Sequence, residues 1–262
     1  MRQVIGAAAL LGGVLLGPQG QAAAPDMRPG PFEAHLTTLY GARQYDALTM
    51  EIAGAQGNEA QVRVVNWLLA QESSGGMSTF ITIMDASRLW VLSAKLPPEQ
   101  QNRLKEQAAG QYLLTKWLMQ TEGFQCADPE SVENRSALFF ASAQAREIQA
   151  FIEQLPQERA TQVRGISLGL MLLSFSRRKN DDWLCRAGPH YFNTYVRQHP
   201  GVLDTSNPDA KVVVPDDPSI EAEFVPFSEW KEKRIGAYKA LDAELGLPPT
   251  PAVLLQGNGQ FK

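Results

Sequence analysis

Cys126 and Cys185 are the two cysteines of the chain, and what they can do depends on where the chain works. In a reducing compartment they are thiols, whereas in an oxidising one an even pair most often closes a disulfide. Bridging them would close a loop that the chain-entropy model values at roughly 4 kcal/mol. The other chemistry-bearing residues are sparse. His35, His190 and His199 are the three histidines, and none sits in a His-Glu-x-x-His or cysteine–histidine metal spacing. Gly-x-Ser-x-Gly and phosphate-cradling glycine loops are absent. The run Cys185-Arg186-Ala187-Gly188-Pro189-His190-Tyr191 gathers Arg, His and Tyr on one turn, which reads as packing and capping. No residue is assigned here as catalytic, cofactor-binding or metal-ligating, and no cofactor is expected.

The compartment is written at the start of the chain. Arg2 precedes Val4–Leu16, a stretch of Val, Ile, Ala, Leu and Gly alone, and Gly17-Pro18 breaks it. Gly20-Gln21-Ala22 then fits the small-x-small rule for cleavage before Ala23. The apolar stretch is shorter than the ~20 residues a bilayer-spanning helix needs. Residues 1–22 are therefore expected to be a cleaved signal peptide, with the product in the periplasm or secreted. No later run is long enough for stable membrane insertion. The balance of 24 basic and 28 acidic residues gives a net charge of −4 without basic clusters, which excludes phosphate-driven nucleic-acid binding.

The elements that must position these residues read as helices. Apolar periodicity predicts helices from Pro31, from Tyr45, over Val62–Leu69, over Phe80–Leu92, and from Pro97-Pro98. One long helix is expected over Glu130–Gln154 and another over Pro156–Arg178, followed by a short one after Pro189. The run Gly169–Phe175 is apolar on nearly all sides, which predicts that its helix is central. Pro200, Pro208, Pro215, Pro218 and Pro226 mark an irregular arm that carries a last helix over Ser228–Leu245. The fold class is all-α: an irregular helical bundle or short solenoid of helix pairs. Residues 23–199 form the helical domain; residues 200–262 form the arm, the terminal helix and a loose tail.

An internal duplication organises the middle of the chain. At an offset of 59, residues 96–126 align without a gap to 155–185, with seven identities in 31 positions. Leu96-Pro97 meets Leu155-Pro156, Gly110 meets Gly169, and Cys126 meets Cys185. The duplicated units span about 77–126 and 136–185. A shared mid-helix glycine costs about 1 kcal/mol relative to Ala, and close helix approach would compensate.

Stacked helical pairs present extended binding faces. The leading expectation is an exported helical protein that binds another protein, in concrete form a periplasmic inhibitor or immunity protein against a toxin. Two other expectations stand beside it. One is an envelope hydrolase or lyase working through scattered carboxylates, and the other is a carrier of a small apolar ligand between helices. The tryptophans Trp67, Trp90, Trp117, Trp183 and Trp230 are expected to serve the core.

Overall fold

Proline, serine and glycine set the helix boundaries. In a computed structural model of the chain the described residues are 30–74, 78–174, 179–200 and 215–245. They form ten α-helices: α1 (Pro31–Gly41), α2 (Tyr45–Gly54), α3 (Asn58–Ser74), α4 (Thr79–Ser93), α5 (Pro98–Glu122), α6 (Glu130–Phe140), α7 (Ala143–Gln154), α8 (Gln157–Ser174), α9 (Pro189–Gln198) and α10 (Phe227–Leu245). The all-α class is thus observed. Proline opens α1, α5 and α9, where its missing N–H is not needed. Ser78 caps α4 by accepting from Phe80 N–H, and Ser142 caps α7 by accepting from Ala145 N–H. The signal sequence, Val212–Val214 and the tail after Leu245 lie outside the described residues.

Two expectations about the helices need correction. The single helix expected over Glu130–Gln154 is two helices, α6 and α7, broken at Ala141-Ser142. Ser142 takes an extended conformation and turns its hydroxyl to the next helix, a competition that apolar periodicity does not register. The break lets Phe139 and Phe140 close on Tyr112, with ring centroids 5.7 and 5.5 Å away.

The central helix is α5, not α8. Residues 108–115 of α5 are buried without interruption, whereas Ile166 of α8 is 49% exposed. Polar Gln111 and Thr115 disguise α5 in the sequence, because they find partners inside the protein. Helix α5 packs most extensively on α4 and next on α8, and it also meets α7 and α10. Met50 of α2 is 75% exposed.

The shared glycines behave differently. A Cβ on Gly110 would stand 3.4 Å from Ser167 Oγ, and the Ser167 hydroxyl donates to the Gly110 carbonyl at 2.8 Å. Close approach therefore explains Gly110. A Cβ on Gly169 would meet nothing within 4 Å, so close approach does not explain that glycine.

The core runs through the aromatic chain Tyr45, Phe80 and Trp183, with centroid spacings of 5.0 and 5.7 Å. Trp67, Trp117, Trp183 and Trp230 are buried, as expected, and Trp90 is half-buried. The described part of the arm is stitched to the body. Phe224 makes an antiparallel bridge with Cys126, Val225 N–H donates to the Gln125 carbonyl, and Ala127 N–H donates to Glu223. Helix α10 then lies on α5, burying Trp230, Tyr238 and Leu241.

Candidate functional site

The two cysteines meet. Their Cα atoms are 5.0 Å apart, within the range that a disulfide requires, and both side chains are buried. The convergence comes from the segments after α5 and before α9. Ser131 donates to the Cys185 carbonyl and the Asn134 amide donates to Ala187, so the start of α6 clamps the second cysteine's turn.

The residues of that turn have separate tasks. Arg186 is fully buried; it donates to Asp182 Oδ2 at 3.2 Å and to the Asp217 carbonyl, and its guanidinium stacks over Tyr191. The Tyr191 hydroxyl donates to the Pro215 carbonyl and accepts from Asp217 N–H. His190 faces outward beside Glu223. Arg135 adds an ion pair to Asp216 at 2.8 Å, and His199 meets Asp217 at 2.8 Å. The His199 bond holds the Asp217 carboxyl below its ordinary range. Together these groups fasten residues 215–220 to the body. They form a structural knot, and His35 lies apart from it beside Glu51.

Buried carboxylates occur in two kinds of setting. Asp181 accepts from Thr79 N–H at 2.6 Å, the Thr79 hydroxyl at 2.7 Å, Ser78 at 3.3 Å and Leu184 N–H at 3.2 Å. Burial raises its pKa while the bonds from Thr79 and Leu184 oppose the shift. Glu122 takes two bonds from Arg234, at 2.7 and 3.0 Å.

The third buried acid site is different, and the sequence reading missed it. Glu72 at the end of α3, Asp85 in α4 and Gln111 in α5 come together with all three side chains buried. The Gln111 amide donates to Glu72 Oε2 at 3.0 Å. Glu72 Oε1, both Asp85 carboxylate oxygens and Gln111 Oε1 have no bonding partner. Burial, and then the proximity of Asp85, holds Glu72 well above the ordinary carboxylate range; burial alone raises Asp85. A signal did exist: Asp85 stands four residues from both Ile81 and Leu89, and Glu72 four from Leu68, on otherwise apolar stripes. Among the described residues no group of three or more His, Cys, Asp or Glu side chains gathers as a metal site.

The surface carries two adjoining grooves where α4, α5, α7 and α8 meet. The larger, of about 600 Å³, is lined by Trp90, Lys95, Gln101, Lys105, Gln144 and Glu147. The smaller, of about 400 Å³, includes Asn102, Glu106, Phe151 and Arg159. Trp90 and Phe151 stack edge to face at 5.7 Å, and Lys105 Nζ sits over both rings at 5.2 and 5.9 Å. Trp90 Nε1 donates to Glu147 at 2.9 Å, and Arg159 forks onto Glu106. Aromatic rings are thereby held at the surface between charges of both signs. Neither groove is lined by Glu72 or Asp85.

Comparison of the chain with protein-family models, with curated proteins and with solved structures returned no match.

Proposed function

We propose that this chain is exported and binds another protein, in the manner of a periplasmic inhibitor or immunity protein. The observation that supports it is the groove around Trp90 and Lys105. Tryptophan and charged side chains pre-positioned on rigid helices are the kind of group that anchors protein interfaces, because little side-chain entropy is lost on binding. Export is supported by the expected signal peptide together with two buried cysteines at disulfide distance, an arrangement that persists in oxidising compartments. The hydrolase alternative calls for carboxylates that a substrate can reach. The paired acids Glu72 and Asp85 are enclosed and do not supply them.

Capture from an envelope extract tests the reading. The mature protein is expected to retain a defined partner, and Trp90→Ala and Lys105→Glu are each expected to reduce capture at least tenfold. Met50→Ser, an exposed change on α2, is expected to leave capture intact. Equal capture by all four proteins would remove the groove from the proposal, and no partner at all would overturn the function.

A further inference from the structure

The enclosed acids between α3, α4 and α5 have no part in that binding reading. Glu72 and Asp85 are enclosed beside Gln111, and among the described residues its amide is the one side-chain donor that reaches the pair, on Glu72. Two adjacent carboxylates in a water-poor interior cannot both be charged without a large penalty. The cost falls only if a cation, several donors or a proton is supplied.

Among the described residues, four cations of the surrounding helices are engaged elsewhere. On α3, Arg63 forks onto Glu33, and on α5 Lys105 lies over Trp90. Arg159 of α8 pairs with Glu106, and Arg234 of α10 pairs with Glu122. Arg88 follows Asp85 by one turn on α4, yet its Nη2 has no partner and neither carboxylate receives it. Among the described residues, Arg103 and Lys116 of α5 and Arg164 of α8 make no ion pair with either acid. Donors are equally short, since three of the four carboxylate oxygens are unpartnered. A proton is what remains. A protonated carboxyl becomes a donor and can bond its neighbour, which satisfies two of the orphaned oxygens at once.

We propose that Glu72, Asp85 and Gln111 form a proton-holding latch that ties α3 to α4 and α5. The latch is closed while the pair keeps a proton and loosens when both carboxyls ionise. Because α4 and α5 also carry Trp90 and Lys105, the latch joins two of the helices that line the larger groove. Through this pair the folded chain holds protons that the unfolded chain releases, so its contribution to stability is greatest at low pH and falls as pH rises above the ordinary carboxylate range near ~4. Each extra proton held lowers the folding equilibrium constant by up to about tenfold per pH unit across that window.

Asp181 and Asp216 are also raised by burial, so the wild-type slope alone does not assign the effect. The experiment is denaturant unfolding of the mature protein at pH 5, 6, 7 and 8, beside Glu72→Gln and Asp85→Asn. The wild type is expected to lose stability steadily with pH, and each variant to flatten that slope and be the more stable protein at pH 8. Unchanged slopes in both variants would overturn the latch. If the variants do not fold, infrared spectroscopy of the wild type decides. A protonated-carboxyl C=O band at pH 7 that disappears on unfolding and is kept in Asp181→Asn and Asp216→Asn supports the proposal; a wild type without the band, or loss of the band in either of those variants, overturns it.

Discussion

Asp181 and the Glu72–Asp85 pair are both enclosed by the same helical body, yet one is wired and the other is not. Asp181 joins α4 to the turn before Cys185 and receives four donors, two of them backbone N–H groups, one at the start of α4 and one in that turn. Glu72 receives one amide, and Asp85 has no donor in bonding geometry. A buried charge that satisfies backbone donors is a joint, because removing it orphans the donors as well. A buried acid without donors is a titrating element, because neutralising it removes the penalty and leaves nothing stranded. The difference lies in the partners, since burial is nearly the same.

Four experiments would break or sharpen that contrast. The largest effect should come from the cysteines that hold the wired side together. Reduction, or Cys126→Ser with Cys185→Ser, is expected to cost about 4 kcal/mol for a sequence separation of 59, read from urea midpoints. Intact-protein mass after alkylation, with and without reductant, checks the bridge; identical masses would remove it.

Asp181→Ala should follow, with a loss of about 3 kcal/mol, since Thr79 N–H and Leu184 N–H are then left without their acceptor. Asp85→Asn has the opposite sign. It is expected to gain roughly 2 kcal/mol at pH 8 and little at pH 5 in the same unfolding assay. The sign follows from the raised folded-state values: the stabilisation present below the unfolded range is lost as pH rises through the folded one. A loss of stability at pH 8 would make the two regions alike and erase the comparison. Thr79→Val is the smallest change, removing one hydroxyl donor from Asp181 for about 1 kcal/mol. Its thermal midpoint should fall by a few degrees for a domain of this size.

Much of the fold was legible because helix punctuation is local. Pro31, Pro98 and Pro189 open helices in the structure as they do in the sequence, since a proline's fixed φ acts on its own residue. The cysteine pairing was legible by elimination, there being one intramolecular partner. The break at Ser142 was not, because a capping hydroxyl and an in-helix serine look alike to apolar periodicity. The central position of α5 was hidden for a related reason: Gln111 and Thr115 count as polar in a pattern, but inside the protein the Gln111 amide N–H finds Glu72, and Thr115 finds Thr82 and a helix carbonyl. The knot around Arg186 was visible only as neighbouring residue types, while its partner Asp217 lies 31 positions away.

The sequence by itself determined the helical class, the helix starts at proline and the one cysteine partner available. These depend on residues within a turn of one another or on simple counting. Only the tertiary structure decided which helix is enclosed, which carboxylates receive donors and which are left bare. Those outcomes depend on α3, α4 and α5 meeting in space, and burial changes the chemistry of an acid only once its neighbours have displaced the water around it.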